Sequence, residues 1–391
     1  MSGRTRYRIL FAGTAAVIIY GSLYPFQLVW VQYPGGPVTA LLSTWREGTG
    51  LGDILANVCL YVPFAFLAVL SLPGSRVRRF LFACVLGLLL SGSMELLQLF
   101  DEGRWATMAD VRSNFAGSVL GAALAVIAER YWRRHIAWPR RRQIDKSAAI
   151  PLTCWVAYRL FPYVPVIDLH KYWSAIRPLL KPDFDWLAVC RHTASWLAVA
   201  ALLAEFCPPA WRRFAPLACF LAITCVRILL LAVALSASEV AGGAIAAGAW
   251  VLYLWSNPRA MTWIAALFSI DVALEGLAPF HFSPERQPFT WIPFYGLLEA
   301  APHVAVPSFL GKGFAYGALV WLLNRAGIGY WKAVVAGSAL VAALTVAHLH
   351  LPGRSFEVTD CLLLLAFAGT GAMLRRPTPQ TTSDASATIA R

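Results

Sequence analysis

Apolar runs of about twenty residues, the length that crosses the hydrocarbon core of a bilayer, follow one another along this chain and are separated by short hydrophilic segments. Twelve spans are expected, at approximately 9–31, 51–72, 79–100, 108–128, 148–167, 187–207, 214–236, 239–256, 260–280, 307–324, 331–350 and 357–374. With 59% hydrophobic and only 14% charged residues and a mean hydropathy of +0.61, the chain has no composition for a water-soluble core. The fold expected is an all-α membrane protein.

The net charge of +13 would point to nucleic acid in a soluble protein. Here the basic residues cluster between spans, so no nucleic-acid partner is expected and the charge is read as topological. Arg4, Arg6, Arg8, Arg76, Arg78, Arg79, the run from Arg133 to Lys146 and Arg375-Arg376 all fall on the side of the N-terminus. By the positive-inside rule both termini are expected in the cytoplasm. The first run ends in Leu23-Tyr24-Pro25-Phe26 rather than at a small-residue cleavage site, so it reads as a retained helix. None of the eight cysteines forms a Cys-x2-Cys pair, and they read as packing residues.

The chain repeats itself. Gly103-Arg104 followed six residues later by Asp110 returns as Gly353-Arg354 and Asp360, each between two apolar runs. Leu23-Tyr24-Pro25-Phe26 returns as Leu277-Ala278-Pro279-Phe280, the Asp53-to-Tyr61 stretch as Ser308 to Tyr316, and Glu95-x2-Gln98 as Thr345-x2-His348. A duplicated four-helix unit is the economical explanation. Leu160-Phe161-Pro162-Tyr163 and Arg191-His192 hint at a third, eroded copy whose Ser236–Gly242 turn lacks both Arg and Asp. Three parallel four-helix units are therefore expected: 1–146 with a basic cytoplasmic linker, 147–258 diverged, and 259–376, followed by a disordered tail at 377–391.

Within the first unit, Asp53-x3-Asn57-x3-Tyr61-x-Pro63-Phe64 and Glu95-x2-Gln98-x5-Arg104-x5-Asp110-x3-Asn114-x2-Gly117-x3-Gly121 resemble the VanZ-like membrane proteins, named for a protein associated with low-level teicoplanin resistance. The resemblance spans residues 15–125 and, with Lys312 for Asn57, Thr345 for Glu95, His348 for Gln98 and Leu364 for Asn114, residues 270–374. It implies a bacterial cytoplasmic membrane, the cell envelope, surface polysaccharide and glycopeptide resistance. It lends a setting rather than an activity.

Helical spacing puts Asp53, Asn57 and Tyr61 on one stripe, Glu95 and Gln98 on one face, and Asp110, Asn114, Gly117 and Gly121 on another. These edges can satisfy one another, with Arg104 paired to Asp110 or Asp53 and interhelical bonds of about 0.6–2 kcal/mol each. A carboxylate in mid-helix costs ~2.5–3.5 kcal/mol, and Glu95 has no cation near it in sequence, which favours a site. The site expected is open to the outer leaflet, with Arg104 as a planar fork for phosphate or carboxylate. Its ligand is expected to be a glycolipid, lipid-linked saccharide or phospholipid head group, and its modified counterpart comprises Lys312, His348, Arg354 and Asp360.

Two alternatives remain open. A secondary transporter or flippase accounts for the repeats and for Arg112, Arg159, Arg191, Arg227, Lys312 and Asp271 in or near spans. A lipid-phosphate hydrolase or transferase would use Glu95 or Asp53 as general acid or base. No nucleophile motif, phosphate-cradling loop or His-x3-His pair accompanies them, so no cofactor is expected. His303, His348 and His350 read as interface residues rather than metal ligands. Segment 170–181 is amphipathic, an expected surface anchor or lid, and Trp30, Trp105, Trp132, Trp173, Trp186 and Trp331 form an interfacial belt.

Overall fold

The computed structural model describes residues 3–24, 26–102, 104–135, 145–164, 169–180, 182–230 and 235–375. Positions 136–144 of the basic run, Arg376 and the expected tail at 377–391 lie outside the described residues, as do Pro25 and Gly103. Among the described residues there is no strand; two isolated bridges, Leu28 with Asp101 and Thr290 with Glu357, are the only β contacts. The chain forms two compact units, Met1–Arg142 and Gln143–Arg391. The segments 147–258 and 259–376, expected as separate sets, fall in one compact unit.

The first unit contains α1 (Gly3–Leu23), the short α2 (Pro37–Ser43), α3 (Leu51–Ser71), α4 (Arg76–Gln98) and α5 (Met108–His135). Side-chain caps set several starts: Ser75 Oγ accepts from Arg78 N at 3.3 Å ahead of α4, and Thr107 Oγ1 accepts from Asp110 N at 3.1 Å ahead of α5. Apolar residues Ile18, Tyr61, Phe64, Val69, Ala83 and Ala122 make the core. The α3–α5 crossing is close because α5 is bare where it meets α3. A Cβ on Gly117 would stand 2.5 Å from Val58 O, and one on Gly121 only 2.1 Å from Val62 O. Small-x3-small spacing permits that approach.

The second unit contains α6 (Ala149–Leu160), α7 (Leu169–Leu180), α8 (Trp186–Phe206), α9 (Ala215–Ile228), α10 (Ala237–Leu252), α11 (Ala260–Leu277), α12 (Tyr295–Glu299), α13 (Pro302–Arg325), α14 (Tyr330–Ala347) and α15 (Thr359–Leu374). Helix α8 packs on α10, but α6 lies along α13 and α11 along both α13 and α8. The shared core includes Trp155, Trp196, Leu202, Phe268, Phe314 and Leu322. Each half of this unit thus leans its first helix on the other half, and the space between them becomes the site described below.

Among the described residues, seven helices are long and apolar enough to cross a membrane: Gly52–Ser71, Arg76–Gln98, Met108–Arg130, Trp186–Phe206, Ala260–Leu277, Pro302–Arg325 and Tyr330–His350. Three shorter apolar helices, Ala215–Ile228, Ala237–Leu252 and Thr359–Leu374, accompany them. Two of the expected spans need correction. The run 9–31 is helical only to Leu23, because the residue before a proline is pushed out of the α region; its first turns also carry Arg4, Arg6 and Arg8. The run 148–167 yields a helix of 12 residues, ended by Phe161-Pro162. Phe26, Tyr163 and Phe280, each following the proline of its elbow, adopt positive φ of 65°, 63° and 63°. Of segment 170–181, the residues up to Leu180 fall in the amphipathic α7, which packs on α9 and leaves Trp173 and Leu180 exposed, while Lys181 lies outside the described residues.

Candidate functional site

In the first unit most of the polar residues find partners, some in one another and some in the backbone. Asn57 Nδ2 donates to Asp110 Oδ1 at 2.7 Å, and Thr107 Oγ1 to Asp110 Oδ2 at 2.8 Å. Glu95, 5% exposed, accepts from Thr107 N at 3.0 Å, and Asn114 donates to Ser91 Oγ at 2.9 Å. Gln98 donates to Ser22 O at 2.7 Å. Asp53 stands apart on the exposed first turn of α3, accepting from Thr49 Oγ1 at 3.3 Å.

Arg104 was expected to pair with Asp110 or Asp53 or to offer its fork to an anion. Its Nε and Nη2 instead donate to Tyr24 O at 3.1 and 2.7 Å, and Nη2 also reaches Gly21 O at 3.1 Å. The guanidinium caps the C-terminal carbonyls of α1, where helix geometry leaves acceptors open and the macrodipole favours a cation. Sequence spacing does not reveal this partner, because the acceptors belong to the backbone some eighty residues away.

The corresponding residues of the second unit make parallel contacts. Arg354 Nε donates to Ala278 O at 2.9 Å and Nη2 to Glu275 O at 2.6 Å, capping α11. His348 Nε2 lies 3.0 Å from Gly276 O and Nδ1 3.3 Å from Ser355 O. Lys312 Nζ stands 2.6 Å from Asp360 Oδ1. Thr345, where the first unit has Glu95, returns its hydroxyl to Val341 O at 2.9 Å.

The difference is space. Lys312, His348, Arg354 and Asp360 line a cavity of about 530 Å³ bounded by α6, α8, α11, α13, α14 and α15. Across it, Arg191 on α8 binds Asp271 (3.4 Å) and Glu275 on α11, four residues apart and so on one face. Ser195 Oγ adds a bond to Asp271 at 3.3 Å. Arg159, at the end of α6, shares Glu239 of α10 with Arg227 of α9. The aromatic wall includes Trp155, Tyr158, Trp196 and Phe314. A charged, aromatic-walled void inside apolar helices is the form a ligand site takes in a helical membrane protein.

Arg159, Arg191, Arg227 and Asp271 are visible in the sequence as ionisable residues near spans. Glu275 and Glu239 are not singled out there; Glu275 could have been found from its four-residue spacing to Asp271, while Glu239 carries no signal beyond its place at the start of a helix. Among the described residues, no group of three His, Cys, Asp or Glu is placed to hold a metal ion. His348 and His350 turn ring nitrogens to backbone carbonyls.

Apolar helices of membrane-spanning length around an internal charged cavity define a multipass α-helical membrane protein. Residues 6–129 match the VanZ/LLP1 family model, and the protein is VanZ-like over this stretch, which makes up most of the first unit. No curated protein and no solved structure matches the chain.

Proposed function

We propose that this protein resides in the bacterial cytoplasmic membrane as a duplicated, VanZ-like multipass assembly with both termini in the cytoplasm. In this reading it handles the head group of an envelope glycolipid, lipid-linked saccharide or phospholipid in the cavity of residues 143–391. The observation that carries it is that charged residues from five helices, α6, α8, α11, α13 and α15, surround one void of about 530 Å³, a volume within the range of small-molecule sites. The polar set of the first unit serves in this reading as a scaffold, since Asn57, Asp110, Glu95 and Asn114 each bond to a neighbouring side chain or backbone group.

Gly311 supplies the test. It lines the cavity, and a Cβ there would meet nothing nearer than the Tyr158 ring at 3.8 Å. Gly311→Phe therefore fills the void from a position that tolerates a side chain. Titration of the detergent-purified full chain with phosphatidylglycerol and phosphatidylcholine, followed by native mass spectrometry, should show binding of both lost while helical content and thermal unfolding persist. Undiminished binding in Gly311→Phe would rule the cavity out as the lipid site.

A secondary transporter or flippase is the second reading, favoured by the Lys312–Asp360 pair inside the cavity. Ion pairs on membrane helices recur along proton and substrate pathways.

A further inference from the structure

The cations around the cavity are not evenly matched. Lys312 has Asp360 to itself, and Arg191 and Arg354 share Asp271 and Glu275, with Arg354 Nη2 3.7 Å from Glu275 Oε1. Arg159 and Arg227 have one carboxylate between them, and both bind the same atom of it, Glu239 Oε1. Among the described residues one positive charge is left over, and it is localised at the α6, α9 and α10 side of the cavity.

That charge is also poorly solvated. The side chains of Arg159, Arg227 and Glu239 are only 11%, 12% and 12% exposed, and the Nε atoms of both arginines are buried without an acceptor. Holding an unmatched guanidinium within a membrane helix bundle costs several kcal/mol by order of magnitude unless an anion joins it. Arg159 itself lines the void, so an anion can arrive through the cavity. The Trp155 ring lies 5.9 Å from the Arg159 guanidinium, within the range of a cation–π contact.

We infer that Arg159, backed by Arg227, forms an anion subsite at this end of the cavity, taking the phosphate or carboxylate of an acidic amphiphile. The inference rests on the cavity reading above and adds a charge preference to it. A guanidinium pair suits a phosphate or carboxylate because its planar N–H groups match two oxygens at once. The middle segment, which has neither the Arg nor the Asp of the repeated motif, thus supplies a basic group of its own.

The experiment is the same lipid titration, comparing phosphatidylglycerol with phosphatidylcholine, in wild type, Arg159→Gln, Glu239→Gln and Gly311→Phe. Wild type should bind phosphatidylglycerol about tenfold tighter than phosphatidylcholine, the order expected of a charge-assisted bond in a desolvated site. Arg159→Gln leaves Arg227 and Glu239 as a matched pair, so the fold should survive while the preference disappears. Glu239→Gln releases both guanidinium groups and should keep or increase the preference. Inorganic phosphate added as competitor separates the sources: displacement of phosphatidylglycerol means the free anion suffices, and failure to displace it means the lipid must carry the anion. Equal affinity for the two lipids in wild type, or an unchanged preference in Arg159→Gln, overturns the subsite. In that event, loss of both lipids in Gly311→Phe would still uphold the cavity, so the two readings fail separately.

Discussion

Lys312 reaches Asp360 between α13 and α15 at 2.6 Å, the crossing that Asn57 makes to Asp110 between α3 and α5 at 2.7 Å. One pair carries charge on both sides and the other on one side only. The first lines a cavity, and the second is closed over by Thr107.

The two crossings should respond differently to neutralisation. Asp360→Asn strands the Lys312 ammonium and should destabilise by about 3 kcal/mol, the scale of an orphaned buried ion. Asp110→Asn leaves amide facing amide and should cost about 1 kcal/mol. The double variant Lys312→Asn with Asp360→Asn should recover most of the loss. Unfolding curves in detergent, read as a double-mutant cycle, measure the coupling. Equal losses for Asp360→Asn and Asp110→Asn would contradict this ordering.

Arg104→Lys should act on stability rather than on ligand. A lysine cannot make the three bonds to Tyr24 O and Gly21 O, so the end of α1 should loosen at a cost of about 1–2 kcal/mol. Lipid affinity should stay within about twofold, since the residue lies in the other compact unit from the cavity. Arg354→Lys, which touches the cavity as well as capping α11, should lose both. Thermal unfolding and the lipid titration separate these outcomes.

Gly121→Val should be among the most damaging changes in the first unit. Its Cβ would fall 2.1 Å from Val62 O, a backbone atom that cannot move without separating α3 from α5. A loss of at least about 3 kcal/mol, or failure to fold, is expected from overpacking of this severity. Gly92→Val, where no atom beyond its own helix backbone lies within 4 Å of the added Cβ, provides the control. Size-exclusion profiles and unfolding curves report the contrast.

If the transporter reading is right, Lys312→Met should abolish coupling. Proteoliposomes carrying a fluorescent phosphatidylglycerol should show movement between leaflets that responds to a proton gradient in wild type and ceases to respond in the variant. Unaltered coupling in Lys312→Met would remove this lysine from any transport cycle.

The sequence alone discloses most of the helices, because bilayer-length apolar runs leave few alternatives. It also discloses the paired Gly-Arg and Asp positions. The lengths of α1 and α6 were harder to read, since apolar residues continue past the prolines that stop the helices. The partners of Arg104 and Arg354 were illegible for a different reason: main-chain oxygens have no residue-type signature. The cavity was illegible too, because it depends on α6 lying along α13 and α11 along α8, an arrangement no local spacing encodes. Glu239 became meaningful only when two arginines from separate helices met it.

The elbows after Leu23, Leu160 and Leu277 share a left-handed aromatic residue, yet they present different chemistry to their surroundings. At the first and third, the carbonyls of Ser22 and Gly276 face Gln98 and His348, and those of Tyr24 and Ala278 accept an arginine from a distant turn. At the second, the position equivalent to Ser22 and Gly276 is Arg159 itself. A corner whose main-chain oxygens elsewhere accept hydrogen bonds there also carries a cationic side chain, turned toward Glu239 of α10, so the same bend holds a positive charge at the edge of the cavity.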